Sequence, residues 1–201
     1  YVQVPGQEDI DPAAREGRHG HPRPAHQVAH FAHPRGQVER VMGHENTYNR
    51  MIAAGVEANA NTPAAALPMN AYFTPTRDFF LNGEAIVLYH VPAAHTDGDT
   101  LVHFRGSDVL ATGDVFTPDV YPVIDIANGG TVNGTIAALN RVLEITVPAK
   151  YQEGGTYVVP GHGRICDEAE VVEYRDMVTI IRDRIADLVK KGLTLEQVKA
   201  A

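Results

Sequence analysis

The dipeptide Asn82-Gly83, with apolar residues on both sides, constrains the fold of this chain more than any other local feature. Asn-Gly readily adopts the two positive φ angles of a type I′ turn, which connects two antiparallel strands tightly. Residues 78–81 and 84–91 flank it and are rich in Phe, Ile, Val and Leu. The sequence therefore predicts a β-hairpin at 78–91.

Other short apolar runs predict more strands. Residues 100–105 and 109–112 form a second candidate pair around Gly106-Ser107-Asp108, and residues 157–159 form a short strand before Pro160. Upstream, 37–42 is a candidate strand and 44–54 carries apolar residues at helical spacing.

The helices are predicted from apolar positions that recur every three or four residues. In 131–145 these positions share one face, and in 168–191 they run along one side until Gly192. Thr194 and Gln197 resemble a capping box for a last short helix. Because strands precede the helices that cover them, the order favours a layered α/β or α+β domain.

Residues 1–36 are rich in Pro, Gly, His and Arg and show neither apolar period, so we expect loop or irregular chain there. A Pro-, Ala- and Asn-rich connection follows at 59–70. We predict an irregular segment at 1–36 and a single domain at 37–201.

Composition narrows the classes of partner. The chain has 201 residues, with 25 acidic against 17 basic side chains and a formal charge of −8, which disfavours nucleic acid. No apolar run reaches the roughly 20 residues that cross a bilayer, so we expect no membrane partner. The single cysteine, Cys166, excludes an intrachain disulfide and has no catalytic signature around it. It is compatible with the cytosol or the periplasm.

Three short motifs place imidazole or carboxylate groups beside glycine at the ends of predicted strands. They are Ala-His95-Thr-Asp-Gly-Asp, Thr-Gly-Asp114-Val-Phe and Pro-Gly-His162-Gly. Imidazole nitrogen and carboxylate oxygen suit zinc or iron, and one carboxylate can bridge two ions. An isolated histidine near a strand end is more often a hydrogen-bonded surface residue than a ligand. The case for a metal site therefore depends on the three motifs together.

In order and spacing, the three motifs resemble those of the metallo-β-lactamase-fold superfamily, particularly its glyoxalase-II-like and lactonase-like hydrolases. His95 and Asp114 are 19 residues apart, and 48 residues separate Asp114 from His162. The resemblance runs from about residue 78 to the C-terminus and includes the Gly129-Gly130 pair. It implies an αββα sandwich with the site at one edge.

The resemblance also implies roles. His95 would bind a first ion, His162 a second, and the catalytic Asp114 would bridge them. A water activated by Zn²⁺, or by iron or manganese, would attack the carbonyl of a small ester, thioester, lactone or β-lactam. Asp rather than Cys at the bridging position favours the first three of these substrates. Tyr121 and Asp125 would line or support the substrate pocket.

The superfamily's H-x-H-x-D-H motif has a single, altered candidate here. His19 and His21 fit its first two positions, but Arg23 replaces the Asp and Pro24 the last His, for which His26 is a shifted candidate. Arginine does not ligate zinc. We expect His19, His21 and His26 either to complete the site or to bind metal loosely.

Several alternatives stay open from the sequence. The chain is a working hydrolase, a catalytically impaired metal-binding remnant or fragment, or, against its negative charge, a nuclease. A sequence error upstream of Val41 would also explain the altered motif. For localisation, a periplasmic or secreted protein of a bacterium is the expectation, with the cytoplasm as the alternative. The sequence predicts no oligomeric state.

Overall fold

The computed structural model describes residues 29–32, 38–54 and 66–201. The chain divides into two compact units, Tyr1–Phe73 and Thr74–Ala201. The domain boundary predicted between residues 36 and 37 borders on positions outside the described residues, so it stays a prediction.

The described part of the first unit contains a three-stranded sheet and one α-helix. Its strands are β1 (Ala29–Ala32), β2 (Val38–His44) and β3 (Asn70–Tyr72), with β2 in the centre. Strand β1 pairs antiparallel with β2, and β3 pairs parallel with it. The prediction that 1–36 is irregular throughout is therefore wrong for β1. Four residues are too few to show a two-residue apolar period, and β1 is held by its pairing with β2.

Helix α1 (Glu45–Ala53) confirms the helix predicted at 44–54. His44 is its N-cap, and His44 Nδ1 accepts a hydrogen bond from the Asn46 amide at 3.3 Å. This contact satisfies one of the amides that a helix start leaves without an intrahelical partner. Met51 of α1 is buried against Leu67 in a small cluster.

The second unit is built on a five-stranded sheet whose strands neighbour one another in chain order. They are β4 (Thr76–Leu81), β5 (Glu84–Val91), β6 (Asp99–Phe104), β7 (Val109–Gly113) and β8 (Tyr157–Pro160). Leu81 pairs with Glu84, and Asn82 and Gly83 have φ angles of 52° and 87°. The predicted hairpin with a two-residue turn is confirmed.

Three helices follow the first four strands. They are α2 (Val132–Ile145) and α3 (Glu168–Lys190), each close to its predicted range, and the short α4 (Leu195–Lys199). The Thr194–Gln197 capping box of α4 is confirmed. A second box, Asp167 with Glu170, starts α3. Among the described residues, no helix has the length and hydropathy required to span a bilayer.

The core of this unit lies between the sheet and helices α2 and α3. Its fully buried members include Leu101, Leu110 and Val158 from the strands, and Leu139 and Val171 from the helices. Each such side chain stabilises the fold by roughly 1.5–3 kcal/mol when it leaves water. The core therefore makes the sheet a rigid platform for the loops at its ends.

The three predicted motifs lie at one end of this sheet. Strands β7 and β8 are parallel, so the residues that follow Gly113 and Pro160 leave the sheet at the same edge. Strand β6 is antiparallel to β7, so the residues just before Asp99 lie at that edge as well. His95, Asp114 and His162 occupy these positions.

Cys166 forms an antiparallel bridge with Val158 of β8. The amide of each residue donates a hydrogen bond to the carbonyl oxygen of the other. Cys166 is 4% exposed. Burial, aided by the nearby Glu170 carboxylate, raises the pKa of the thiol to about 11. These observations agree with the structural role expected from the sequence.

We predict that Cys166 of the folded chain resists alkylation at pH 8. A thiol with a pKa of about 11 is about 0.1% thiolate there, against about a quarter for an unperturbed thiol. Iodoacetamide should therefore react roughly 250-fold more slowly with the native chain than with the urea-unfolded chain, as followed by mass spectrometry. Equal rates would contradict the burial of this residue.

Candidate metal centre

His95 lies in the turn between β5 and β6, and its imidazole is held from one side. His95 Nδ1 lies 2.7 Å from the carbonyl oxygen of Val123. A carbonyl only accepts, so Nδ1 carries the proton and donates it, which leaves the lone pair on Nε2. A histidine that ligates a metal typically has its other nitrogen held in this way.

A buried carboxylate holds the turn that carries His95. Asp99 is 1% exposed and accepts hydrogen bonds from the Thr96 amide at 2.9 Å and the Thr96 hydroxyl at 2.7 Å. Burial raises the pKa of Asp99, while the two hydrogen bonds from Thr96 act in the opposite direction. The turn is also held where the Asp97 amide donates to the Asn128 carbonyl at 2.9 Å.

Asp114 follows β7 and is fixed on both sides along the chain. Gly113 before it is part of the sheet, and Val115 and Phe116 after it are fully buried. The Phe116 ring packs edge-on against Tyr174 of α3. The Asp114 side chain is 11% exposed, so it points into the site with little freedom.

His162 follows β8 and faces solvent, with 75% of its side chain exposed. The Gly161 amide before it donates to the Gly113 carbonyl at 2.8 Å, which ties the β8 end to the β7 end. The absence of a side chain at Gly161 makes this approach possible, because a Cβ there would lie 2.3 Å from Asp114 Oδ1.

The two imidazoles face different oxygens of one carboxylate. His95 Nε2 is 3.8 Å from Asp114 Oδ2, and His162 Nε2 is 3.5 Å from Asp114 Oδ1. Two ligand atoms on one tetrahedral zinc, each about 2.0–2.1 Å from the ion, are about 3.3 Å apart. Each pair therefore has roughly the spacing of two ligands on one ion, with Asp114 common to both.

The described residues do not complete either ion's ligand set. Within 29–32, 38–54 and 66–201, no group of three or more His, Cys, Asp or Glu side chains is arranged to hold one ion. The candidate ligands His19, His21 and His26 lie outside the described residues, so their assignment stays a prediction. The geometry shown is two imidazoles that each face one oxygen of the Asp114 carboxylate.

The structure places Tyr121 and Asp125 differently from each other. The Asp125 amide donates to the His95 carbonyl at 2.9 Å, and the Asp125 side chain accepts from the Asn128 amide at 3.1 Å. The side chain of Tyr121 is largely exposed and lines a groove together with residues of helix α3.

Several residues support the candidate site in roles that were not predicted from the sequence. Thr96 and Asp99 form a Thr-x-x-Asp pattern of the kind that builds local side-chain turns, a signal present in the sequence. Gly130 packs against the backbone of His95, where an added Cβ would lie 2.2 Å from the His95 carbonyl oxygen. The Val123 carbonyl leaves no sequence signal, because any residue supplies one.

Solved structures resemble this chain over 66–69% of its length. The inverting sec-alkylsulfatase Pisa1 from Pseudomonas sp. superimposes with a TM-score of 0.55 and 18% identity over 66% of this chain. A metallo-β-lactamase from Pontibacter korlensis gives 0.51 and 16% over 69%, and DIM-1 metallo-β-lactamase gives the same values. The chain has the metallo-β-lactamase fold. The predicted fold class is confirmed.

The likeness covers only part of these proteins. This chain spans 21% of the alkylsulfatase and 57% of each of the two β-lactamases. No known protein-family model matches the sequence, and no curated protein matches it. At this level of identity the metallo-β-lactamase fold is what the neighbours share with the chain.

We predict that Gly161→Ala weakens metal binding through Asp114. The added methyl group has to displace the carboxylate, and zinc affinity should fall at least about 10-fold, as for loss of a supporting residue. Calorimetric titration with zinc measures the effect. Gly83→Ala is the matched control: it lies in open space at a φ of 87°, so it should cost about 1 kcal/mol of stability without changing zinc affinity. Equal zinc affinity in both variants would contradict this role of Gly161.

Proposed function

We propose that this chain belongs to a metal-dependent hydrolase of small carbonyl substrates, with zinc as the metal. One observation carries the proposal: two imidazole nitrogens face the two oxygens of the Asp114 carboxylate at 3.8 and 3.5 Å. Imidazole and carboxylate ligands suit zinc, and iron and manganese are the alternatives. Named activities of proteins with this fold, a sulfatase and β-lactamases, are compatible with hydrolysis.

In this proposal, His95 and Asp114 hold the metal ion, and the exposed side of His162 gives substrate access to it. The hydrogen bond to Val123 presents the His95 Nε2 lone pair to an ion, and the buried Asp114 offers one oxygen to each side. The exposed His162 leaves that side of the site open to substrate from solvent. Zinc, when bound, polarises a carbonyl group and makes water more acidic. Asp114, with one carboxylate oxygen towards each imidazole, would orient the groups on both sides of the centre.

For the substrate, we propose an ester, a thioester or a lactone ahead of a β-lactam. Asp at the bridging position in place of Cys, and the resemblance of the three motifs to glyoxalase-II-like and lactonase-like hydrolases, support this choice. The negative charge of −8 argues against a nuclease of the same fold.

The second candidate function is an impaired metal-binding remnant. It is favoured by the incomplete ligand sets within the described residues and by Arg23 and Pro24 in the upstream motif. Metal analysis separates the two: about two zinc ions per chain with ester or lactone turnover supports the hydrolase. One ion or none, without turnover, supports the remnant.

We predict that His95→Ala and Asp114→Asn each lower metal content sharply. Loss of a direct ligand should reduce hydrolysis of a chromogenic ester by more than the roughly 10- to 100-fold typical of losing a supporting residue. Plasma mass spectrometry gives the zinc content, and circular dichroism checks the fold.

His103→Gln is the control for these variants. His103 lies in β6, four residues beyond Asp99 and towards the opposite end of the sheet, beside Asp108. Its zinc content and turnover should match those of the unmodified chain. Unchanged zinc stoichiometry in both site variants would overturn the proposed centre.

A further inference from the structure

An apolar groove of about 770 Å³ runs along helix α3 in the second unit. One wall is a stripe of α3 that includes Val178, Ile181, Ile185 and Val189, at helical spacings of three and four. The other wall is the 121–124 segment with the first turn of α2. Its volume lies within the range of about 300–1,000 Å³ found for small-molecule sites.

The groove contains one charged group. Among the residues that line it, only Arg182 is charged and none is acidic. Arg182 Nη1 donates to Asn133 Oδ1 at 2.9 Å, which holds the guanidinium between α3 and α2. Arg182 Nε is 2.5 Å from the exposed Asp183 carboxylate. Among the described residues, Nη1 makes the hydrogen bond of this guanidinium and Nε contacts Asp183 without one, so Nη2 is the donor that would reach a ligand.

We propose that this groove binds a medium-chain carboxylate, with the alkyl chain along the α3 stripe and the carboxylate on Arg182. An apolar surface of this length with one fixed cation complements an amphiphile that has a single anionic head. A second copy of the chain is less suitable, because the lining that a symmetric contact would present contains no acidic residue to accept from Arg182 Nη2.

The groove is separate from the candidate metal pairs. The 121–124 segment faces the Nδ1 side of His95 through the Val123 carbonyl, whereas Asp114 faces Nε2. A ligand in the groove would therefore contact the outer side of the segment that holds His95. The proposal goes beyond the proposed hydrolysis and does not require a bound metal.

The first test is a chain-length series with the full chain, stripped of metal. Hexanoate, octanoate and decanoate are titrated below their micellar concentrations and followed by ligand-observed NMR. Each buried methylene contributes about 0.8 kcal/mol, so Kd should fall about four-fold per methylene until the groove is filled. A Kd independent of chain length would overturn the proposal.

Two variants and a matched control test the location. Ile185→Gln should weaken decanoate at least about 10-fold, because Ile185 is 45% exposed within the groove. Ile180→Gln changes an isoleucine of the same helix that is 67% exposed and outside the lining, and should leave Kd unchanged. Equal losses in both variants would contradict this location.

The head group is tested with Arg182→Gln. Decanoate should weaken about five-fold, as for a partly exposed ion pair, whereas decan-1-ol should bind both forms equally. Equal loss for the acid and the alcohol would overturn the role of Arg182. Sedimentation equilibrium tests whether a second copy of the chain occupies the groove instead. If the chain is a dimer that Ile185→Gln dissociates, and decanoate does not bind, a second copy fills the groove and the proposal is overturned.

Discussion

The parallel pairing of β7 with β8 is the constraint on which the candidate site depends. Because these strands run in the same direction, Asp114 and His162 leave the sheet at one edge, and the antiparallel β6 brings His95 to that edge. The 43 residues between β7 and β8 contain α2, which packs on the sheet and closes this crossover. The order and direction of the strands therefore bring the three side chains together, and contacts in the loops fix how these side chains are oriented.

That refinement comes from contacts that limit each side chain to one arrangement. The Val123 carbonyl selects the tautomer of His95, Asp99 holds its turn, and buried neighbours fix Asp114. Gly161 and Gly130 provide the space in which these backbones approach. His162 differs from the other two because its side chain is 75% exposed. The rigid half of the centre is therefore the pair of His95 and Asp114.

Much of this could be predicted from the sequence because the signals are local. The Asn82-Gly83 turn, the α3 stripe and the Thr194 capping box depend on residues close along the chain. Strand β1 was missed because it depends on pairing, and the role of the Val123 carbonyl because it depends on a contact 28 residues away. The three motifs predicted a shared edge correctly, and the distances to Asp114 required coordinates. The upstream histidines lie outside the described residues, so their roles remain predictions.

X-ray absorption at the zinc edge of the purified, zinc-loaded chain tests the central claim most directly. A centre built on His95, Asp114 and His162 predicts a first shell of nitrogen and oxygen at about 2.0–2.1 Å with the outer scattering of imidazole. A sulfur shell at about 2.3 Å, which would place the ion on Cys166, or a shell without imidazole would contradict the account.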